Sequence, residues 1–344
     1  MRFNPAFSKA HSRAQLRLRG LPLRIPAAAL IGLVACTFTT AASAQLPDLV
    51  DVSVQYMPNV ALQDPKPTTT QLSSYDATLN VPIPLGETTF LIPGANYHVE
   101  AVSFDNEASN FVEPPRAFHS LELPVMLVQL LPDNWSLSMR VAPGLAADRL
   151  ALSSDLARVS ALLMATKAFG DQLVVGGGGL LSYSFGTLLP LPAIYIEYKP
   201  VHQVRIEGFL PAFVHVLYSV GQRFELGVRA DVNGNSYGIR DAVIAESYPC
   251  RADAGSIDRQ ARPAVPTECI DHVAYSLVQA GLVANMRLFS DIWLGTFVGH
   301  SLYRRFDTLN AEDRRVQTAG GGETLPNTWF FRAGLTWRLP VPKD

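Results

Sequence analysis

The sequence predicts an all-β protein: a transmembrane antiparallel up-and-down β-barrel of about 14 strands, with 12 as the alternative. Three observations predict this fold. The chain begins with an export segment, continues as a series of stretches that alternate apolar and polar residues, and ends in an amphipathic stretch with aromatic residues near both ends. A strand has this period of two when lipid covers one face and a polar interior covers the other.

The composition narrows the class of protein. The chain has 344 residues, of which 48% are hydrophobic and 17% charged, and its formal net charge is -2. This charged fraction is low, and this apolar fraction high, for a soluble enzyme. Basic clusters occur only near the N-terminus, so the sequence gives no electrostatic basis for nucleic-acid binding. We expect no nucleic-acid partner.

The first 44 residues are predicted to be a signal peptide, and residues 45–344 the barrel. Basic side chains precede an apolar segment, residues 25–35, that is too short to span a bilayer as a helix. Ala42 and Ala44 supply the small residues of a cleavage site, so we expect cleavage after Ala44. The alternative is a lipobox at residues 33–36, which would make Cys36 the lipidated first residue. Both routes take the chain out of the cytoplasm.

The closing strand is predicted at residues 327–339, where the alternation is clearest. One face is apolar and contains Trp329, Phe331, Ala333, Leu335, Trp337 and Leu339. The other face contains Phe330, Arg332, Gly334, Thr336 and Arg338. We expect the first face to contact outer-membrane lipid.

Counting the predicted strands then gives the side of the barrel on which each connection lies. Residues 155–167 favour helix by composition, but alternate positions share an apolar face, so we predict a strand there. Residues 204–220 contain Pro211, which cannot donate to a ladder, and dividing them at Pro211 gives two strands and an even total. An even count places both chain ends on one side. We predict that this side is periplasmic and carries the short turns, and that the long loops lie outside.

Two resemblances accompany these predictions. The spacing of Arg332, Gly334, Trp337 and Leu339 resembles the C-terminal signal of outer-membrane proteins, which implies recognition by the barrel-assembly machinery. The chain departs from that pattern because residues 340–344 follow the final apolar residue. Residues 190–239, with their Tyr-Lys-Pro turn and Asn-Gly-x-x-Tyr ending, resemble a family of outer-membrane β-barrels of unknown function. This implies a fold and a Gram-negative outer-membrane location, and no chemistry.

Cys250 and Cys269 lie in one long loop and are predicted to form a disulfide, because export passes through an oxidising compartment. Closing a loop of this size contributes roughly 3 kcal/mol in the chain-entropy model. No further ligands stand at metal-site spacing, so we predict no metal. The sequence also carries no cofactor motif, since the glycine run at residues 176–179 lacks the Lys and Ser or Thr of a phosphate loop.

The lumen is predicted to carry interleaved charges of both signs: Arg205, Glu207, Glu225, Arg229, Asp231, Arg332 and Arg338. Such residues either form a salt-bridged interior or line a pore, and mixed charge predicts neither anion nor cation selectivity. Four histidines (His98, His119, His215 and His300) raise a hydrolase alternative, but no nucleophile motif accompanies them, so we predict no catalytic residues.

Two function classes remain open from the sequence. The first is a porin-like passive channel or transporter for small solutes. The second is a structural or adhesive barrel whose loops, residues 238–272 and 306–326, bind other molecules.

Overall fold

The computed structural model describes residues 47–61, 68–106, 111–112, 116–150, 156–184, 187–239, 271–310, 315 and 323–338. The predicted leader with Cys36, Ala42 and Ala44, the cysteines Cys250 and Cys269, and Leu339 lie outside these residues. No helix in the described ranges is long and apolar enough to cross a membrane. The described chain consists almost entirely of strands.

The strands in chain order are β1 (Val50–Ala61), β2 (Thr68–Asn80), β3 (Ile83–Pro84), β4 (Thr89–Asn106), β5 (Phe111–Val112), β6 (Arg116–Glu122), β7 (Val125–Leu131), β8 (Trp135–Ala147), β9 (Ala157–Phe169), β10 (Leu173–Ser184), β11 (Thr187–Val201), β12 (Val204–Leu210), β13 (Phe213–Val220), β14 (Phe224–Gly238), β15 (His272–Phe289), β16 (Ile292–Leu309), β17 (Glu323–Thr324) and β18 (Trp329–Trp337). β6 and β7 lie end to end, since both pair with β4 on one side and with β8 on the other. β3, β5 and β17 are two-residue strands.

Counting β6 and β7 as one strand and leaving out the two-residue strands, about 14 long antiparallel strands form a closed ring. β1 closes the ring by pairing with β2 on one side and β18 on the other. In the β1–β18 pair, Val50 lies opposite Trp337 and Tyr56 opposite Phe331. The predicted all-β barrel and its closing strand are confirmed.

The alternation predicted from the sequence appears as two faces of the ring. On β1, Val52 and Val54 are exposed, whereas Ser53 and Gln55 are buried inside. On β18, Trp329 and Phe331 are exposed and Phe330 is buried. The outward face is therefore apolar on strand after strand, which is the pattern of a lipid-facing wall.

The strand predicted against helix propensity is confirmed. β9 pairs along its length with β8 and β10. Its apolar residues Val159 and Leu163 are exposed on the outside of the ring. The division at Pro211 is also confirmed, since β12 ends at Leu210 and β13 begins at Phe213.

Several strands extend further than the sequence predicted. The predicted loop at residues 58–71 is shorter, because β1 continues to Ala61 and β2 begins at Thr68. β8 continues to Ala147 and β16 to Leu309. In these segments backbone pairing continues although apolar and polar residue types no longer alternate along the sequence. Side-chain alternation therefore underestimates strand length here.

We call the end of the ring that carries both chain termini the turn end, and the opposite one the loop end. The expectation that every connection at the loop end is long is wrong at two places. Residues 185–186 join β10 to β11, and residues 211–212 join β12 to β13. In both places the flanking strands pair up to the connection, with Ser184 opposite Thr187 and Phe209 opposite Phe213.

Candidate functional site in the barrel interior

The inner face carries the charged side chains that were predicted to line the lumen. All of them project from the face opposite the exposed apolar residues: Arg205, Glu207, Glu225, Arg229, Asp231, Arg332 and Arg338. The structure brings four of them into one network near the turn end and places the others in smaller groups along the wall. None of the seven stands as an isolated charge.

Glu225 on β14 is the centre of the network at the turn end. Its Oε2 accepts hydrogen bonds from Arg338 Nη1 at 3.2 Å and Asn285 Nδ2 at 3.0 Å. Arg205 Nη2 lies 3.9 Å from Glu225 Oε1, and Arg205 Nη1 lies 4.0 Å from Glu207 Oε2. Cations and carboxylates therefore neutralise each other inside the ring, and the network favours neither sign of ion.

A second group of polar contacts crosses the β1–β18 pair that closes the ring. Arg332 on β18 donates from Nη2 to Ser53 Oγ on β1 at 2.8 Å, and the same Nη2 lies 3.6 Å from Asp76 Oδ2 on β2. Asp76 Oδ1 in turn contacts His98 Nδ1 on β4 at 2.6 Å. One chain of polar contacts thus connects β18, β1, β2 and β4 from inside.

The loop-end half of the interior is crossed by a hydrogen bond between opposite walls. Tyr237 on β14 donates from its hydroxyl to Glu100 Oε2 on β4 at 3.0 Å, and both residues are buried. β14 and β4 are not neighbours in the ring. The Phe118 ring lies 5.3 Å from that of Tyr237 and 6.2 Å from that of Phe306. These side chains narrow the lumen at this level.

Two further contacts connect strands that are not neighbours. Gln55 Nε2 on β1 donates to Gln279 Oε1 on β15 at 3.2 Å, and both amides are buried. At the loop end, Gly238 of β14 forms a parallel bridge with Ala147 of β8, and Asp148 N donates to Gly238 O at 3.0 Å. The tip of β14 therefore leans across the mouth of the ring to β8.

The four histidines behind the hydrolase alternative do not converge. His98 and His215 face inward and contact carboxylates, Asp76 and Glu207 respectively. His119 contacts the Tyr97 hydroxyl on the outer face, and His300 packs edge-on against the exposed ring of Trp329.

In the part of the chain that the structure describes, no group of three or more His, Cys, Asp or Glu residues is arranged to hold a metal ion. The predicted disulfide and the Leu339 end of the assembly signal lie outside that part. Arg332, Gly334 and Trp337 lie on β18, with Gly334 opposite Ser53 of β1 and Gly295 of β16.

The sequence pattern of the family described as "Domain of unknown function (DUF6268)" matches residues 40–338. The chain belongs to this family. The predicted resemblance to a barrel family of unknown function is thereby confirmed. A search of the curated proteins returned no match.

Solved structures give distant resemblances. An outer membrane channel from Pseudomonas putida F1 is 13% identical, covers 88% of this chain and 99% of its own, and has a TM-score of 0.41. The translocator domain of the autotransporter NalP from Neisseria meningitidis is 10% identical, with 87% and 91% coverage and a TM-score of 0.36. LpxR from Salmonella typhimurium is 9% identical, with 84% and 99% coverage and a TM-score of 0.33. Resemblances this distant carry no argument about this chain. The barrel is shown by the ring of strands that the chain itself forms.

Proposed function

We propose that the protein is an outer-membrane β-barrel and acts as a narrow passive channel for small solutes. One observation carries the proposal: a closed ring with an apolar outer face encloses polar, mutually neutralised side chains in its turn-end half. A closed barrel satisfies every backbone group in hydrocarbon, and a polar interior gives water a path. The predicted export segment and C-terminal signal support the same location.

The crossing between Tyr237 and Glu100 sets the width of the channel. Together with Phe118 it narrows the lumen toward the loop end, so the resting protein passes ions and small solutes slowly. Because the interior is neutralised pairwise, the channel discriminates by size more than by charge.

Planar-bilayer recording of the purified protein tests this proposal. We expect a small, reproducible conductance step for the wild type and a several-fold larger one for Tyr237→Ala. Tyr218→Ala is the matched control, because Tyr218 is 53% exposed on the outer face. Wild-type bilayers without steps, or steps of equal size in all three proteins, would refute an axial channel narrowed by Tyr237.

A further inference from the structure

The hairpin formed by β12 and β13 is too short to cross a bilayer. β12 has 7 residues and β13 has 8, whereas a tilted strand needs about 9–11 to span the hydrocarbon layer. Their neighbours β11 and β14 have 15 residues each. The hairpin therefore ends within membrane depth, and the wall above it is incomplete.

The two long neighbours have edges without a strand partner above this hairpin. β11 pairs with β12 only from Ile194 to Val201, and β14 pairs with β13 only from Phe224 to Asp231. Within the described chain, residues 187–193 and 233–237 have no partner strand on that side, whereas Val232 N donates to Ala212 O and Gly238 bridges to Ala147 of β8. We call this gap the notch. Unpaired strand edges at membrane depth are tolerated where they line a cavity, because the cavity can hydrate them.

A cavity of about 440 Å³ lies directly behind the notch. Ser160, Ser182 and Leu189 line it from the inner face of β9, β10 and β11. Gly234 and Ser276 line it from the outer face of β14 and β15. The cavity is thus a cleft between two layers of wall, formed because β14 leans across the mouth to β8. Asn235 and Tyr275, which point to the other face of β14 and β15, also border it.

The chemistry of the cleft indicates the class of ligand. Its apolar lining includes Leu189 and Tyr183, which are 50% and 43% exposed, and Leu188 beside the notch is exposed on the outer face. Serine hydroxyls provide hydrogen-bonding groups. Its charges are already paired, since Arg158 donates to both Glu122 and Asn235. A volume of this size lies within the range of small-molecule pockets.

We propose that the notch is a lateral portal through which a small neutral molecule with an apolar body and a hydroxyl group passes between the bilayer and this cleft. The apolar rim lets the molecule leave the hydrocarbon without meeting a charge. The serines then hydrogen-bond the hydroxyl group. The inference rests on the proposed membrane location and is independent of axial conductance.

Photolabelling of the full chain in phosphatidylcholine vesicles tests the portal. The probe is 4-[3-(trifluoromethyl)diazirin-3-yl]benzyl alcohol, which is neutral, partitions into bilayers and reacts with its surroundings on irradiation. Peptide mapping should find label on Ser182, Leu189 and residues 234–236, and excess benzyl alcohol should compete with it.

Gly234→Leu is the blocking variant. A Cβ at Gly234 would meet Tyr275 O at 3.4 Å and Ser276 Oγ at 4.0 Å, so a side chain fits and occupies the cleft. Gly177→Leu is the matched control, because Gly177 lies on the outer face of β10 with nothing within 4 Å of its Cβ position. We expect several-fold less cleft labelling in Gly234→Leu, and wild-type labelling in Gly177→Leu. Both variants should keep the faster gel mobility of an unheated folded barrel.

Two results would overturn the portal. One is label confined to the outer apolar face to the same extent in all three proteins. The other is equal cleft labelling by a membrane-impermeant trimethylammonium derivative of the probe, which would show that molecules enter the cleft from the aqueous side and not through the notch. Conductance measured on the same preparations tests the axial channel separately, and Gly234→Leu should leave it unchanged.

Discussion

At the scale of single residues, the hydroxyl of Tyr237 and the carboxylate of Glu100 join opposite walls in the loop-end half of the lumen. They meet across the ring at 3.0 Å among the rings of Phe118 and Phe306. A buried carboxylate that loses a hydrogen-bond donor keeps its full desolvation cost. The contact therefore contributes both to stability and to the width of the channel.

Tyr237→Phe should lower the free energy of unfolding by about 1–3 kcal/mol, because it removes the donor and leaves Glu100 buried. Tyr218→Phe is the control: Tyr218 is 53% exposed on the outer face, so the substitution removes no buried donor. The unheated-to-heated mobility shift, followed against temperature, measures both. Equal transition temperatures for the two variants would contradict a stabilising Tyr237–Glu100 bond.

Gly334→Ala should reduce the folded yield. An added Cβ would lie 2.7 Å from Ser53 Cβ and 2.8 Å from Val52 O, so the β1–β18 seam must shift, at a cost of about 1–3 kcal/mol. Gly177→Ala, with open space at its Cβ position, should fold normally.

Refolding into detergent without the assembly machinery separates two causes of such a defect. If Gly334→Ala refolds as well as Gly177→Ala in detergent and fails only in cells, the glycine acts through recognition and the steric explanation is wrong.

The positions of the inner charges could be predicted from the sequence, and their partners could not. Alternation alone places Arg332 and Glu225 opposite the lipid face, because neighbouring side chains point to opposite faces of a strand. Tyr237 and Glu100 are separated by 137 positions, and no local pattern indicates that they meet. Their contact depends on the lean of β14 toward β8, which is a property of the whole ring.

At the scale of elements, Pro211 made the short hairpin predictable. A proline in mid-ladder removes a donor, so the division into β12 and β13 followed from one residue. The length of the neighbouring strands did not follow, since Val232 to Gly238 on β14 and Thr187 to Ala193 on β11 look like ordinary continuations. The notch exists only because long and short strands are adjacent, which requires the pairing to be known.

Glu225→Gln should weaken the connection between β12, β14, β15 and the end of β18. Glu225 accepts from Arg338 and Asn285 and faces Arg205, so a neutral amide leaves two guanidinium groups less well compensated. We expect a loss of about 1–2 kcal/mol in thermal unfolding, smaller at high salt. Glu87→Gln, on an exposed turn, is the control and should change nothing measurable. A loss in Glu225→Gln that is insensitive to salt would contradict an electrostatic origin.

At the scale of the whole molecule, the outward apolar face defines how the barrel sits in a bilayer. Phe224 and Val228 project from the same face of β14, at 45% and 52% exposure, with Phe224 at the turn end. The energetic cost of a charge on this face depends on depth. The difference in the cost of a charge at these two positions therefore reports the depth of each position in the bilayer.

Val228→Arg should destabilise the folded protein in vesicles by roughly 2–4 kcal/mol, as expected near the bilayer midplane, and Phe224→Arg by about 0–1 kcal/mol, as expected near the interface. Denaturant titration in vesicles, followed by tryptophan fluorescence, gives both values. Equal costs at the two positions would show that the bilayer does not cover β14 as proposed.

The seam between β1 and β18 has a consequence for connectivity. Leu49 N donates to Trp337 O at 2.8 Å, so the described ends of the chain are as close as the two sides of a hairpin. A closed ring has no structural first strand. A circular permutant that joins residues 49 and 338 through a short linker and opens at the turn of residues 221–223 keeps every strand pair. Such a chain would end at β13, and the native ending would become an internal segment. The strand pairs of the ring thus do not depend on where the chain begins.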